Sequence, residues 1–391
     1  MARSLRAAGV RRLLVPTGNA GEAALVEGLE VVAVPTLAAC VHHLDGSEPL
    51  PTAGPEPAAS APPPGIDLDQ VRGQAMAKRA LEIAAAGGHN LVMIGPPGAG
   101  KTMLARCLAS LLPDLDSDEA LEVAAIYSVR GALGDRPATA STPPFRAPHH
   151  TISRAALVGG GSGLAHPGEI SLAHRGVLFL DELCEFPRSL LECLRQPLEE
   201  RTVSVGRSRG SITFPAAFTL VAAANPCPCG HLGEATRTCS CEPRQLTSYR
   251  ARLSGPLLDR IDMVLEVPRQ PYAALFDDGC IEETSAGVRT RVEAARERQR
   301  DRFAGRSTGR DGCRPLTCLN AGLDGQRLRA ACRPVPSAVR LLAVAGERLS
   351  LSARAYHRVL RVARTIADLA GEERIGEVAV AEALRYRTEA A

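Results

Sequence analysis

Apolar positions along the chain follow two patterns, continuous runs and helical spacing, and the changes from one to the other predict its strands and helices. Short continuous apolar runs at 90–94, 176–180 and 218–223 are typical of strands that are buried on both faces of a parallel sheet. Between these runs the apolar residues follow helical spacing. From residue 66 onward the chain therefore predicts an α/β core, a parallel sheet flanked by helices, with a ligand site at the carboxyl ends of its strands.

The segments on either side of this core have a different pattern. Residues 1–45 alternate strand-like and helical runs that are too few for an independent domain. Seven prolines within 46–65 predict an extended linker, because that composition offers little apolar surface to bury. The predicted organisation is a short N-terminal segment at 1–45, a linker at 46–65, the α/β core at 66–270, a helical connection at 271–335 and an all-helical C-terminal domain at 336–391.

Composition narrows the class of protein. A chain of 391 residues with 45% hydrophobic residues fits a globular protein of two or three domains. No apolar run approaches the roughly 18 residues of a membrane span and no signal-peptide core develops, so we expect a cytoplasmic protein without membrane contact. With 46 basic and 43 acidic residues, any contact with nucleic acid must be local. Lysine occurs only at Lys78 and Lys101.

A glycine-rich segment follows the first apolar run and opens a helical stretch. Backbone N–H groups of such a loop can surround a phosphate, the lysine can reach the β- and γ-phosphates of ATP, and the threonine can ligate Mg²⁺. An ordinary glycine-rich turn would not combine strand, spacing, helix and one of the two lysines of the chain. The predicted nucleotide-binding residues here are Gly95, Pro96, Pro97, Gly98, Ala99, Gly100, Lys101, Thr102 and Met103.

The other two apolar runs end in residues suited to ATP hydrolysis. Asp181 and Glu182 close the second run, where Asp181 would hold the Mg²⁺ shell and Glu182 would act as general base toward the attacking water. Asn225 closes the third run, and its amide could orient that water. The alternative for the carboxylates is a solvated acidic turn, and Asn225 before Pro226 is also a common turn signal.

Two further patterns indicate binding. Four cysteines form two C-x-C pairs nine residues apart, which predicts a structural Zn²⁺ site, with reduced or redox-active thiols as the alternative. Residues 202–214 predict a β-hairpin whose tip carries Arg207 and Arg209, with an exposed charged turn as the plainer interpretation. The cysteines are Cys227, Cys229, Cys239 and Cys241.

The chain resembles the ComM/YifB group of magnesium-chelatase-like AAA+ proteins of bacteria. The resemblance covers 66–387 and depends on several independent motifs rather than on the phosphate loop alone. They are Gly73-Gln74, the phosphate loop, Phe145-Arg146-Ala147-Pro148-His149-His150, Pro167-Gly168-Glu169-Ile170, Leu180-Asp181-Glu182-Leu183, Asn225-Pro226-Cys227-Pro228-Cys229-Gly230, 254–262 and 351–358.

The resemblance implies a P-loop AAA+ core followed by an all-helical lid, assembled as a homo-hexameric ring with ATP at the subunit interfaces. It implies that Arg260 reaches the nucleotide of a neighbour, where the alternative is an ion pair with Asp259 or Asp262. It also implies that Arg354 of the lid contacts the nucleotide bound to its own chain, in cis. The alternative is a solvated arginine on the face of a helix. Gly73 and Gln74 would lie at the adenine.

The same resemblance implies a function. It suggests a DNA motor, a branch-migration helicase in natural transformation, with Arg207 and Arg209 lining the pore and contacting phosphates of single-stranded or branched DNA. A magnesium-chelatase-type ATPase subunit that drives metal insertion through a partner is the alternative, and a non-enzymatic scaffold is disfavoured by the intact hydrolysis residues. His149 and His150 would be structural or pore-facing, since no acidic partner is evident. Residues 4–45 look like the last part of a Lon-like, S5-fold domain, shortened relative to the family.

Overall fold

The computed structural model describes residues 1–54, 66–132, 140–161, 165–207, 210–234, 237–252, 255–270, 282–304 and 319–387. Its contacts group the chain into two compact units, one formed by 1–62 with 114–142 and the other by 63–113 with 143–391. The predicted domain boundaries stay a prediction. No helix in the described part of the chain is long and apolar enough to cross a membrane.

The described helices have the following bounds in chain order. They are α1 (Ala2–Ala7), α2 (Thr17–Ala23), α3 (Leu37–Asp45), α4 (Ala75–Gly87), α5 (Lys101–Leu111), α6 (Ser117–Arg130), α7 (Arg154–Val158), α8 (Glu169–Leu172), α9 (Arg188–Cys193), α10 (Arg195–Glu200), α11 (Pro243–Arg250), α12 (Gly255–Leu258), α13 (Ser285–Ala304), α14 (Gly325–Ala331), α15 (Pro336–Arg348), α16 (Ala353–Leu369) and α17 (Glu377–Arg385). Short 3₁₀ turns cover Leu68–Gln70, Leu183–Glu185 and Asn320–Gly322.

The described strands form four sheets. They are β1 (Arg12–Pro16), β2 (Glu30–Val34), β3 (Leu91–Ile94), β4 (Phe145–Arg146), β5 (Gly159–Gly160), β6 (His166–Pro167), β7 (Val177–Leu180), β8 (Thr202–Arg207), β9 (Gly210–Pro215), β10 (Thr219–Ala224) and β11 (Met263–Glu266). The five-stranded sheet has the order β11-β3-β10-β7-β4, and its pairs are parallel. The predicted parallel α/β core is therefore confirmed.

The smaller unit contains the parallel pair β1 and β2 with a small apolar core under α2. Thr52 makes an antiparallel bridge with Val32, and the N–H of Ala53 donates to the Val31 carbonyl at 2.7 Å. Two residues of the predicted linker are thus paired with a strand. Helix α6 belongs to this unit and begins at a capping box formed by Asp116 and Glu119.

The central sheet separates two apolar cores. In β3, Leu91 and Met93 lie in one core and Val92 lies in the other, because successive side chains of a strand point to opposite faces. The first core contains residues of α4, α5, α13 and the C-terminal helices, and the second contains residues of α8–α10 and the β8–β9 hairpin. Burial on both faces explains why these strands are continuous apolar runs.

Helix α16 anchors the C-terminal helices to the larger unit. It packs against α4 and α13, and its inner face is buried over most of its length. Asp368 near its end is 1% exposed, and it accepts from Arg364 at 3.0 Å and from the Asn320 amide at 2.7 Å. Because a buried carboxylate needs such partners, this pairing supports one defined packing of the helical region. The expected helical C-terminal region is confirmed.

Candidate nucleotide-binding site

The phosphate-binding loop joins β3 to α5 at the carboxyl edge of the sheet. Gly98 and Gly100 have φ of 77° and 87°, and nothing lies within 4 Å of a Cβ built on either one. A Cβ on Gly95 would lie 2.1 Å from the carbonyl oxygen of Val267, so the loop must begin with glycine. Loop backbone and helix start therefore form an open cradle of the kind that binds phosphate.

Lys101 is buried at the start of α5, and its ammonium group lies inside the loop. Nζ donates to the carbonyl oxygens of Gly95 at 2.6 Å and Pro96 at 2.9 Å, and to Oδ1 of Asn225 at 3.2 Å. Burial lowers the pKa of Lys101, and the charge of Asp181 opposes that shift. The loop lysine and the polar end of β10 are thus in direct contact.

Thr102 and Asp181 meet at the end of β7. The Thr102 hydroxyl donates to Oδ2 of Asp181 at 2.7 Å, and the N–H of Glu182 donates to Oδ1 of Asp181 at 2.9 Å. A hydroxyl and a carboxylate are the hard oxygen ligands that Mg²⁺ prefers, and they lie directly beside the open phosphate cradle. The residues present therefore fit Mg²⁺ bound with a nucleotide.

Glu182 has a partner that the sequence did not reveal. Oε2 of Glu182 lies 3.3 Å from Nδ1 of His150, and His150 packs against His149 with ring centroids 4.0 Å apart. The expectation that these histidines lack an acidic partner is wrong for His150, because the chain after β4 passes beside the end of β7. Glu182 also has φ 51°, a left-handed conformation that is uncommon outside glycine and concentrates at functional sites.

Gly73 and Gln74 precede α4 in left-handed conformations, with φ of 63° and 53°. The N–H of Gly73 donates to Oε1 of Glu282 at 2.7 Å. The Gln74 amide donates to the Ala99 carbonyl at 3.3 Å and to the Pro268 carbonyl at 2.8 Å. Gln74 therefore links the phosphate loop to the chain that follows β11, so this pair lies beside the loop.

Arg260 and Arg354 lie together near the amino ends of the strands, whereas the phosphate loop lies at their carboxyl ends. Both line a cavity of about 540 Å³ whose wall includes Asn90 and Thr219, which stand at the amino ends of β3 and β10. The four residues of β3 separate this edge from the phosphate loop by roughly 13 Å. The structure does not bring Arg354 to the loop of its own chain, so the expected contact in cis is not part of the site described here.

The ion pair of Arg260 differs from the two alternatives considered from the sequence. Its guanidinium binds the carboxylate of Glu199, while Asp259 pairs with Arg358 at 3.2 Å. Asp262 accepts from the backbone N–H of Asn90 at 3.1 Å. The two neighbouring carboxylates are thus engaged elsewhere, and Arg260 is held by a residue at the end of α10.

The four cysteines of the two C-x-C pairs form one cluster. Their sulfur atoms all lie within 4.8 Å of one another. Cys227 Sγ is 3.4 Å from Cys229 Sγ, and Cys239 Sγ is 3.6 Å from Cys229 and 3.7 Å from Cys227. Hydrogen bonds from the backbone N–H groups of His231 and Ser240 lower the pKa of Cys229 to about 5. Burial raises the pKa of Cys227, so the four thiols are not alike. Four sulfur atoms at these separations can nevertheless coordinate a soft metal, which would deprotonate its thiol ligands.

Strands β8 and β9 form the predicted antiparallel hairpin, in which Thr202 pairs with Pro215 and Arg207 with Gly210. Val203, Val205 and Phe214 at its base are buried in the second core. The side chain of Arg207 and all of Arg209 lie outside the described residues.

The sheet and the site at its carboxyl edge define a P-loop ATPase of the AAA+ class. Comparison with family models agrees: residues 67–275 match the magnesium chelatase subunit ChlI family, and residues 282–387 match the ChlI C-terminal family. The chain belongs to this magnesium-chelatase-like family of ATPases. Membership implies that the protein uses ATP and Mg²⁺.

Similar proteins span nearly the whole chain. The competence protein ComM of Haemophilus influenzae is 46% identical over 383 residues, which cover 96% of this chain and 72% of the relative. The uncharacterized protein YifB of Escherichia coli is 44% identical over 378 residues, covering 96% and 71%. A Mycobacterium tuberculosis relative, also uncharacterized, is 46% identical over 378 residues, covering 96% and 72%.

Proposed function

We propose that this chain forms a ring-shaped motor in the cytoplasm that uses Mg-ATP hydrolysis to move DNA branch points, as in natural transformation. The observation that carries the proposal is the place of the β8–β9 hairpin in the chain. It is inserted between β7, which leads to Asp181 and Glu182, and β10, which leads to Asn225. The hairpin follows α9 and α10 and leads into β10, so it is joined through the chain to both strands that carry the proposed hydrolysis residues.

Within one chain, the residues divide the work of hydrolysis. The loop N–H groups and Lys101 bind the β- and γ-phosphates, and Asn225 holds both Lys101 and the water in place. Glu182 orients the attacking water and accepts its proton. Bound Mg²⁺ would be held by Thr102 and Asp181 and would neutralise charge on the phosphate oxygens.

Arg260 and Arg354 enter the proposal as residues that act on a neighbouring subunit. Both lie at the amino edge of the sheet, away from the phosphate loop of their own chain. An arginine at that edge can neutralise developing phosphate charge only on another copy. A closed ring, with a hexamer as the family expectation, supplies such a neighbour for every site.

A DNA partner is supported by the hairpin and by a relative. The sequence of the hairpin turn includes Arg207 and Arg209, which would contact phosphates without reading bases. The name of the Haemophilus influenzae relative connects that protein with competence. A structural Zn²⁺ at the four clustered cysteines completes the set of cofactors in this proposal.

The test is ATP turnover by the purified protein with and without single-stranded and branched DNA. We expect DNA to stimulate the wild type and not the double variant Arg207→Ala/Arg209→Ala. Because phosphate contacts release counterions, the variant should also bind DNA more weakly and with a shallower salt dependence. The matched control is Arg340→Ala/Arg348→Ala, which removes two exposed arginines of α15. Equal stimulation of both double variants would exclude the hairpin as the DNA contact.

A second function is favoured by one observation. The matching family model is that of a magnesium chelatase subunit, a class in which ATP hydrolysis drives metal insertion through a partner protein. If ATP turnover by the wild type is the same with and without DNA, the chelatase-like function is favoured over the DNA motor.

A further inference from the structure

The cysteine cluster has the dimensions of a site for one metal ion. A tetrahedral ion with sulfur ligands at about 2.3 Å places the sulfurs roughly 3.8 Å apart. The sulfur–sulfur separations of 3.4, 3.6 and 3.7 Å in the structure lie close to that value. They are far longer than the roughly 2.05 Å of a disulfide bond, and they leave no room for a multi-iron cluster between the four sulfurs.

The backbone around the cluster is arranged for thiolates. The N–H of Cys229 donates to Cys241 Sγ at 3.4 Å, and the N–H of Leu232 donates to Cys227 Sγ at 3.3 Å. Donors aimed at sulfur stabilise its negative charge and orient it toward a metal. Among the described residues of 231–242 none is buried, so apolar packing does not hold this segment. Besides the local hydrogen bonds and the ion pairs of Glu234, metal ligation would therefore fix its conformation.

The same loop touches the nucleotide site at three places. Asn225, two residues before the first cysteine, contacts Lys101 at 3.2 Å. Gly230 lies so close to the phosphate loop that a Cβ on it would be 2.6 Å from Cδ of Pro97. Glu234 pairs at 3.3 Å with Arg269, in the segment whose Pro268 carbonyl accepts from Gln74.

We propose that Cys227, Cys229, Cys239 and Cys241 bind a single Zn²⁺, and that this metal holds the loop in place as a wall of the phosphate-binding site. Loss of the metal frees Gly230 from Pro97 and weakens nucleotide binding. The inference depends on the proposed nucleotide site, but the metal site itself does not depend on DNA or on ring assembly.

The test combines metal analysis with nucleotide affinity. Elemental analysis of the purified wild type should give one zinc per chain, and Cys239→Ser/Cys241→Ser should give none. Titration with a fluorescent ATP analogue in Mg²⁺ buffer, without DNA, should show roughly tenfold weaker binding by the double variant. The control is Cys193→Ser, a cysteine of α9 outside the cluster, which should keep both zinc and affinity.

A second measurement separates metal loss from misfolding of the variant. Wild-type protein is stripped with a zinc chelator, titrated with the analogue, and titrated again after Zn²⁺ is restored. Recovery of affinity with Zn²⁺ supports the proposal. Absence of zinc binding before and after Zn²⁺ addition overturns the metal site, and so does a disulfide among the four cysteines. Unchanged nucleotide affinity after zinc removal overturns the proposal that the metal holds the loop against the phosphate-binding site. If zinc-loaded wild type binds no nucleotide, the proposed ATPase site and this role of the metal are both overturned, while the metal site stands.

Discussion

Glu182→Gln is expected to lower ATP turnover by about 10²–10⁴-fold while Mg-ATP still binds. Glutamine preserves the shape of the side chain and removes the group that accepts the proton of the attacking water. The phosphate cradle, Lys101 and the Thr102–Asp181 contact are unchanged by the substitution. Steady-state phosphate release, with the affinity for an ATP analogue measured in parallel, checks both parts of the expectation.

Two further variants serve as comparisons for Glu182→Gln. Glu185→Gln removes a half-exposed carboxylate of the same segment that pairs with Arg252, and it should leave turnover near the wild-type value. Lys101→Ala should instead weaken nucleotide binding itself, because the ammonium group lies within the loop. Turnover by Glu182→Gln at the wild-type rate would show that another group serves as the general base.

Arg260→Ala should lower turnover by about 10³–10⁵-fold while nucleotide still binds, if the arginine acts on a neighbour. Mixing gives the sharper result. A ring containing Arg260→Ala and Glu182→Gln subunits has interfaces where Glu182 of one subunit meets Arg260 of the next. We therefore expect two inactive preparations to recover turnover when they are co-assembled.

The control mixture combines Glu182→Gln with Lys101→Ala. Both residues serve the nucleotide of their own chain. Every site in this mixture therefore lacks either Glu182 or Lys101, whichever subunits are neighbours. It should stay inactive except for the residual rate of its components. If co-assembly of Arg260→Ala with Glu182→Gln, verified by differently tagged subunits, recovers nothing, then Arg260 does not act in trans.

Much of the sheet and its site could be predicted because their signals are local. A strand buried on both faces appears as an apolar run, so 90–94, 176–180 and 218–223 correspond closely to β3, β7 and β10. Parallel strands bring their carboxyl ends to one edge, and the structure accordingly joins Lys101 to Asn225 and Thr102 to Asp181. The catalytic and binding roles of these residues stay predictions until the variants are measured.

Contacts between distant segments could not be predicted in this way. His150 meets Glu182 because β4 and β7 are neighbours, and strand order is not written in local periodicity. Arg260 pairs with Glu199 rather than with Asp259, which is engaged by Arg358 of a helix about a hundred residues further along. Helix α6 joins the N-terminal unit although its sequence lies within the predicted core segment.

The most direct test of the central claim is conversion of a synthetic branched DNA junction by the purified wild type with Mg-ATP. Our account predicts that labelled junction is converted to exchanged products with ATP, and not with a non-hydrolysable analogue or with Glu182→Gln. Robust ATP turnover that leaves the junction unchanged would contradict a DNA motor.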